Sequence, residues 1–264
     1  MNELLNIISA SDKRRNLLIL LNNGPQEWDD VKRILKVTST GMLPQIKILE
    51  EEHLIERDGR KFFLTPIGKV LTTQMMPLVR TMDVLDKNRK FWQEHDLGVL
   101  PPEILLDIGD LGNYEVIASS DVEIYESHQD FISNISKAAI IRGISHMVHP
   151  NYPDMFLRFA KAGKQTSLIL TPAAFKIVNE KYHDPLAEWL SCHKSSLWVT
   201  HTNIRFSFIV TESFFSMALF FKNGVFDSKH DVNSHDISAI QWGERLFAYY
   251  QKKSEKIDSL DEYS

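Results

Sequence analysis

The sequence predicts a mixed α/β protein in two parts: a small helical part with one β-hairpin, then a larger part of alternating strands and helices. Three observations support this prediction. The chain has 264 residues, which favours two domains over one or three. Its apolar residues recur at helical spacing up to about Asp96, and strand-like and helix-like segments alternate beyond it. Hydrophobic residues make up 43% and charged residues 25%, which is typical of a folded globular chain.

Composition excludes several classes of protein. Cys192 is the only cysteine, which excludes a disulfide framework and a thiolate-rich zinc site. No apolar run reaches the ~18 residues of a membrane span, and the start, MNELLNIISASDKRR, lacks the features of a signal peptide. We therefore expect a cytoplasmic protein with no membrane partner. The net charge is −5, and residues 1–73 carry 11 basic against 10 acidic side chains, so nucleic-acid binding would require basic charges on one face.

The first 37 residues predict three short helices. Ser11 is a suitable N-cap for the second helix, and Gly24-Pro25 ends it. The segment QEWDDVKRILKV predicts the third, an amphipathic helix. Its predicted inward residues are Trp28, Val31, Ile34 and Leu35.

Residues 38–71, TSTGMLPQIKILEEEHLIERDGRKFFLTPIGKVL, predict a helix, a hairpin and a further helix. Ser39 can cap the first helix, and Pro44 is tolerated in its first turn, where amide protons have no intrahelical acceptor. Asp58-Gly59 is suited to a hairpin turn, and Thr65-Pro66 to a helix start. From the second helix onward, three helices, a β-hairpin and a helix follow one another, which is the element order of a winged helix-turn-helix domain; we place this domain at residues 1–73.

In a winged helix-turn-helix domain the second helix of the motif, here the helix that begins near Ser39, enters the DNA major groove with its N-terminal end. Double-stranded DNA is therefore the predicted partner. Small polar residues there permit close approach, and basic residues around the hairpin tip could reach phosphates. The alternative is that all of these are solvated surface residues, and the acidic run Glu50-Glu51-Glu52 must point away from DNA. The predicted DNA-binding residues are Thr38, Ser39, Thr40, Gly41, Gln45, Lys47, Arg57, Arg60 and Lys61.

The remaining chain predicts a linker and a second domain. Residues 74–96 continue as helix, broken near Pro77, and form a linker or dimerisation helix. Residues 97–256 form an α/β domain with antiparallel hairpins near its end and a last helix after Ser234, His235 or Asp236. Residues 257–264 form a flexible polar tail.

Several stretches carry a family resemblance. LPQIKILEEEHLIERDGRKFFLTPIGKVL resembles archaeal MarR/ArsR-like winged-helix regulators. GISHMVHPNYP and AIQWGERLF, within a match over nearly the whole chain, resemble the regulatory domain of a family of methanogen transcriptional regulators. The resemblance implies a dimeric transcription factor with an effector domain similar to the phospholipase D-like fold of archaeal sugar-sensing regulators. It does not imply a ligand.

Motifs for catalysis are missing from the sequence. A phospholipase D-type site needs His-x-Lys followed by an Asp, and none of the ten histidines begins one. No P-loop, Gly-x-Ser-x-Gly or His-Glu-x-x-His occurs. We therefore predict no enzyme, no catalytic residue and no cofactor. A metal site would need His146 and His149 to converge with the distant pairs His183-Asp184 or His230-Asp231, so no metal is predicted.

A small-molecule effector site is predicted beyond the strand ends of the second domain. Arginines in this region, if inward, would need an anionic partner, either Asp/Glu or a ligand group. Trp198, Phe206, Phe208 and Trp242 are either walls of the pocket or core packing. The predicted ligand-binding residues are Arg142, His146, His149, Tyr152, Thr171 and Arg205.

The function predicted from these observations is a homodimeric, DNA-binding transcriptional regulator whose second domain senses a small molecule or mediates dimerisation. Two alternatives from other classes stay open. One is an enzyme that acts on a small anionic metabolite and carries a DNA-binding head. The other is a protein-interaction adaptor, which a wing without positive potential would favour.

Overall fold

The computed structural model describes residues 3–118 and 124–260, with side chains from Phe131 onward in the second range. The chain divides into two compact units, Met1–Val79 and Arg80–Ser264. The predicted linker segment 74–96 is therefore shared by both units. None of the described helices is long and apolar enough to cross a membrane.

The first unit contains helices and a three-stranded sheet of order β1-β3-β2, in which β2 and β3 are the predicted hairpin and β1 was not predicted. Its core includes the fully buried Leu17, Val31, Met42, Leu49 and Leu54. The elements are α1 (Glu3–Ser9), α2 (Asp12–Asn22), β1 (Gln26–Glu27), α3 (Trp28–Leu35), α4 (Ser39–Glu51), β2 (Ile55–Asp58), β3 (Lys61–Leu64) and α5 (Pro66–Lys87).

Local capping follows the sequence closely. Ser11 accepts a hydrogen bond from the Arg14 amide at the start of α2, as predicted. Thr65 accepts one from the Gly68 amide at 3.0 Å, and α5 begins at Pro66 as predicted. Both caps satisfy amide protons that the first helical turn leaves unpaired.

Several local predictions are wrong by a small margin. Thr38 is the N-cap of α4, and Ser39 is its first helical residue. The hairpin loop is Gly59-Arg60, because Asp58 still pairs with Lys61, and Gly59 supplies the positive φ of 57°.

Three further predictions in the first 87 residues need correction. Gln26-Glu27 is not helical but pairs with β3, a pairing too short to leave a sequence pattern. Ile34 is 44% exposed, because the helix ends one residue later and leaves it outside the core. The helix α5 runs unbroken through Pro77.

The second unit is built on an eight-stranded mixed sheet of order β11-β7-β6-β5-β8-β9-β10-β4. Strands β5, β6 and β7 are parallel, and the other neighbouring pairs are antiparallel. The strands are β4 (Glu115–Ala118), β5 (Ile140–Ser145), β6 (Gln165–Leu170), β7 (Ser195–Thr200), β8 (Phe206–Thr211), β9 (Phe215–Leu219), β10 (His230–Ser234) and β11 (Ser254–Ile257).

Helices cover both faces of this sheet. On one face α8 to α11 pack with Ile141 and Ile209, and on the other α7 and α12 pack with Ile144 and Phe208. The helices are α6 (Arg89–Glu94), α7 (Pro102–Leu105), α8 (Ile124–Lys137), α9 (Tyr152–Lys161), α10 (Pro172–Lys181), α11 (His183–Ser191) and α12 (Ile237–Gln251); short 3-10 turns lie at Leu97–Val99 and Ile108–Leu111.

The end of the chain differs from the prediction. Residues 254–257 form β11 at the edge of the sheet, and Ile257 and Leu260 are buried in the core. Residues 257–260 are therefore not a flexible tail, because two apolar side chains in an otherwise polar segment anchor it. Residues 261–264 lie outside the described residues. Of the three predicted helix starts, Asp236 is the N-cap of α12.

Gly68 generates a first prediction about stability. A Cβ at this position would lie 1.9 Å from the Leu54 carbonyl oxygen, and backbone cannot move aside as a flexible side chain can. We expect Gly68→Ala to lower the free energy of unfolding by about 3 kcal/mol, the upper end of overpacking costs. Urea unfolding of the variant measures this. The neighbouring exposed Lys69→Ala is the control and should change stability by less than ~0.5 kcal/mol.

Candidate functional site

The start of α4 presents polar side chains to solvent. Thr38 accepts a hydrogen bond from the Gly41 amide at 3.3 Å, which fixes the first turn. Met42, Ile46 and Leu49 face the core, and this spacing turns the opposite face outward. That outer face carries Thr40, Leu43, Pro44 and Lys47, followed by Glu51, which lies 3.6 Å from the Lys47 ammonium.

Basic residues of α2 lie beside the start of α4. The Lys13 ammonium donates to the Gly41 carbonyl at 3.4 Å, and the Arg14 guanidinium donates to the Gln45 side chain at 2.7 Å. The contact between Lys13 and Gly41 is close, since a Cβ on Gly41 would lie 2.8 Å from the Lys13 nitrogen. Sequence reasoning missed both basic residues, although the run Ser-Asp-Lys-Arg-Arg could have indicated them.

The hairpin tip carries the three predicted basic residues. Arg57 donates to the Gly59 carbonyl at 2.8 Å and lies over the Phe62 ring, so its guanidinium is positioned. Arg60 and Lys61 are exposed. An acidic side chain, Asp29, lies close enough to the tip to feel the charge of Arg60. Its pKa is lowered chiefly by the hydrogen bond and charge of Lys32, and to a smaller extent by the charge of Arg60. The tip is basic but its charge is partly balanced.

The second unit contains a cavity of about 370 Å³. It lies between the sheet and the helices α8 to α11, on the face that Ile209 occupies. This volume is within the ~300–1,000 Å³ range of small-molecule sites. The cavity lies beside the end of β5 and the loop that follows it, where the sequence analysis placed an effector site.

Small side chains on the sheet create the space. Across neighbouring strands, Gly143 lies opposite Ile209, and Ile209 opposite Ser216. One step along the same face, Ser207 lies opposite Ala218. All five residues line the cavity. Four of them, every one except Ile209, have small side chains, and larger side chains at these positions would fill the cavity.

Helix α9 and its neighbours supply an apolar wall. Phe131, Tyr152, Phe156 and Trp189 line it, and the Phe131 and Tyr152 rings stack with centroids 6.4 Å apart. The His149 ring lies 4.8 Å from that of Tyr152, and its Nδ1 accepts a hydrogen bond from the Asn151 amide. Burial, with a smaller effect of the Asp231 charge, raises the pKa of the Tyr152 phenol, so Tyr152 is a neutral hydrogen-bond donor.

Two carboxylates line the cavity, and the first of them is fully paired. Asp227 accepts hydrogen bonds from the Lys229 amide at 2.9 Å, His230 Nδ1 at 2.8 Å and His95 Nε2 at 3.0 Å. Burial alone would raise the pKa of Asp227, but these three donors outweigh it and lower that pKa. The other nitrogen of His95, Nδ1, lies 2.7 Å from the Phe91 carbonyl. Both nitrogens of this buried ring therefore lie within hydrogen-bond distance of an oxygen, and the ring is held between α6 and Asp227.

Asp231 differs from Asp227 in having no donor. Within residues 3–118 and 131–260, no hydrogen-bond donor is placed on its carboxylate. Burial first, and then the negative charge of Asp227, raise the pKa of Asp231 to about 6. Asn233, on the same face of β10, has a buried side-chain oxygen that also lacks a donor in the described part of the chain. Two oxygen acceptors on this face of β10, at Asp231 and Asn233, therefore have no described donor.

The structure separates the predicted ligand-binding residues. His149 and Tyr152 line the cavity. His146 lies just outside, with Nδ1 2.8 Å from the hydroxyl of Ser207, a lining residue. The remaining three do not line it: Thr171 caps α10, Arg142 pairs with Glu244 at 2.6 Å, and Arg205 is exposed.

Core packing explains most of the predicted aromatic walls. Phe206 of β8 and Trp242 of α12 are fully buried in the core on the face opposite the cavity, and Trp198 packs with the same cluster. Cys192 packs against the core of the cavity side. The described residues contain no group of three or more His, Cys, Asp or Glu side chains that could hold a metal ion. Sequence reasoning missed Asp231 as a cavity residue, because it considered it only as a metal ligand.

Comparisons with known proteins place the two units in one family. Residues 2–85 match the N-terminal domain of the methanogenesis regulatory protein FilR1, and residues 124–253 match its middle domain. The FilR1 protein of Methanothrix harundinacea (strain 6Ac) is 25% identical over 264 residues, which cover 97% of this chain and 58% of that protein. The chain thus spans little more than half the length of this curated relative.

Solved structures show weaker similarity. The archaeal chromatin protein TrmBL2, described with a novel mode of DNA binding, is 14% identical with a TM-score of 0.43, over 97% of this chain and 98% of TrmBL2. Nuc, a phospholipase D family member from Salmonella typhimurium, is 11% identical with a TM-score of 0.43, over 56% of this chain and 99% of Nuc. Neither TM-score is high enough to establish a shared fold.

The two matched domains and the curated relative define the class of the protein, an archaeal regulator of the methanogen type. The chain belongs to the family of FilR1 methanogenesis regulatory proteins. The family predicted from the sequence is confirmed.

Asp231 generates the second prediction. Its folded pKa of about 6 lies above its ordinary value of 3.8, so the unfolded state ionises first as pH rises. The resulting loss of stability begins near pH 4 and is complete above pH 6. Asp231→Asn should therefore raise the free energy of unfolding by about 1–3 kcal/mol at pH 7.5 and by almost nothing at pH 4. Thermal unfolding across this pH range measures the difference, and a stability gain that does not change with pH would contradict it.

Proposed function

We propose that this chain is a DNA-binding transcriptional regulator with a winged helix-turn-helix head, and that its second unit senses a small molecule in the cavity. In this proposal residues 1–73 bind DNA, residues 74–96 link, and the chain from residue 97 onward is the effector part. A cytoplasmic location belongs to the same proposal. Membership in a family of regulatory proteins supports it.

The DNA-binding proposal rests chiefly on the surface around the start of α4. Its outer face combines the polar Thr40 and Lys47 with Leu43 and Pro44, and its first turn is the end that would enter a major groove. Lys13 and Arg14 add positive charge beside that end, where phosphates flank the groove. Leu43, 49% exposed on the same face, offers an apolar contact for a thymine methyl group. Glu51 lies two turns further along, away from this end.

Salt dependence tests the DNA-binding proposal. Each phosphate that a variant no longer neutralises should reduce the slope of log K against log salt by about 0.9. We expect Arg60→Ala/Lys61→Ala to lower the slope by about 2 on a duplex from upstream of the protein's own coding sequence. Fluorescence anisotropy across a salt series, from low to above physiological concentration, measures it.

The control for this experiment is Lys176→Ala, which removes one exposed charge of the second unit. It should leave the slope unchanged. A slope that is the same in the wild type and the double variant would remove the hairpin from the interface. If the protein bound no duplex either with or without a small-molecule ligand in the cavity, the protein-interaction adaptor would be favoured instead.

We further propose that the protein is a homodimer and that α5 contributes to its interface. Ile67, Val70 and Leu78 are 58%, 63% and 60% exposed and share one face of this helix. Three large apolar side chains along one exposed face are typical of an interaction surface. Two recognition helices would also read two half-sites of DNA.

The dimer is tested by placing charge on this face. Val70→Asp/Leu78→Asp should convert a dimer of about twice 30.5 kDa into a monomer, because the carboxylates would be buried unpaired at the interface. Light scattering after size exclusion measures the mass. Lys69→Asp, exposed and half a turn around α5 from Leu78, is the control and should remain dimeric. A wild-type chain that is monomeric at micromolar concentration would rule the proposal out.

A regulatory rather than a catalytic role for the second unit is part of the proposal. The sequence has no His-x-Lys motif. Ser207 of the cavity lies within hydrogen-bond distance of His146, but among the described residues no carboxylate is placed on that imidazole, as a serine-histidine-acid triad would require. A path for the signal is available within the second unit. Asp227 lines the cavity and binds His95, which follows α6, and Trp92 of α6 donates to the Val84 carbonyl of α5 at 3.0 Å.

A further inference from the structure

The cavity of the second unit has a defined charge. Its only charged lining residues in the described chain are Asp227 and Asp231, and no lysine or arginine lines it. Arg142 is occupied by Glu244, and Arg205 is exposed elsewhere. An anionic ligand would therefore enter without a cation to receive it and would be repelled by two carboxylates.

The two carboxylates have different capacities for a ligand. Asp227 is held by three donors and is stabilised in its ionised form. Asp231 faces the same cavity with no donor of its own in the described residues. A buried carboxylate without a donor is costly, and a cation or an N–H donor would compensate it.

The rest of the cavity is apolar and aromatic. Phe131, Phe156 and Trp189 line the helical side, and Leu168, Leu197 and Ile209 the sheet side. The Tyr152 ring lies in the same wall near Asp231. Aromatic faces attract cations as well as apolar groups. Volume, charge and lining together select an apolar molecule that carries one positive end.

We propose that the cavity binds a primary or secondary amine with an apolar body, whose ammonium group pairs with Asp231. This inference rests on the proposed sensing function and names the class of its ligand. Of the two partners that the sequence left open for inward arginines, Arg142 has the acidic side chain of Glu244, so no arginine calls for an anionic ligand in the cavity. The hydroxyls of Ser145, Ser207 and Ser216 lie on the same floor and provide further acceptors for an ammonium group.

The experiment compares three probes that share one indole body and differ in the head group. Tryptamine is cationic, tryptophol is neutral and indole-3-propionate is anionic near neutral pH. Calorimetry on the full chain should show tryptamine binding at least about tenfold more tightly than tryptophol, and no binding of the anion. Asp231→Asn should remove this preference, with unfolding temperature as the check that the variant is folded.

The matched control is Asp154→Asn, which removes an exposed carboxylate of α9 that does not line the cavity. It should keep the preference for tryptamine. Tryptamine affinity no higher than that of tryptophol, or an equal preference in Asp231→Asn, would overturn the amine assignment. Tighter binding of indole-3-propionate would overturn it as well.

A separate readout distinguishes this inference from the proposed function. DNA affinity is measured with and without saturating tryptamine, in wild type and in Asp231→Asn. Amine binding through Asp231 that leaves DNA affinity unchanged would support the ligand class and count against sensing. A change in DNA affinity caused by the anion alone would support sensing and overturn the ligand class.

Discussion

Strand β8 lies in the middle of the sheet and is covered on both faces. The packing of the second unit depends on which of its side chains point to each face. Phe206, Phe208 and Val210 point to the side of α12 and are at most 3% exposed. Ser207 and Ile209 point to the other side and line the cavity. A shift of one residue in pairing would exchange the two faces, placing phenylalanine rings in the cavity and a serine in the core. The hydrophobic core therefore fixes the register that keeps the cavity open.

The position of β8 extends this constraint across the sheet. It lies between β5, the first strand of the parallel half, and β9, the first of the antiparallel half. Gly143 of β5 and Ser216 of β9 are aligned with Ile209 by these pairings. Gly143 is tight as well as small, since a Cβ there would lie 3.0 Å from the Ile209 side chain. Small residues on three neighbouring strands thus become one hollow only when the register is correct.

Local signals in the sequence predicted more of this protein than long-range ones. The caps at Ser11 and Thr65 depend on residues within three positions, and both were predicted correctly. The pairing of Gln26 with Phe62 joins residues far apart in sequence and leaves no local pattern, so it was missed. The cavity also depends on long-range pairing. The sequence shows that inward and outward residues alternate along β5, β8 and β9, but it does not show which residues of the three strands lie side by side. His149 and Tyr152 could be predicted since they follow a strand end directly.

The sequence left two partners open for inward arginines, an acidic side chain or an anionic ligand, and the position of Arg142 shows why sequence alone could not decide between them. The order of charges along the strands does not reveal that Glu244 of α12 lies 2.6 Å from Arg142 on the face away from the cavity. The nearby His149 is used locally, because its Nδ1 accepts a hydrogen bond from the Asn151 amide. With Asp227 and Asp231 on one side and no lysine or arginine among the described lining residues, the field in the cavity favours a positive ligand. The chemistry of the site is thus set by which charges the fold neutralises elsewhere, and not by which charged residues lie near a strand end.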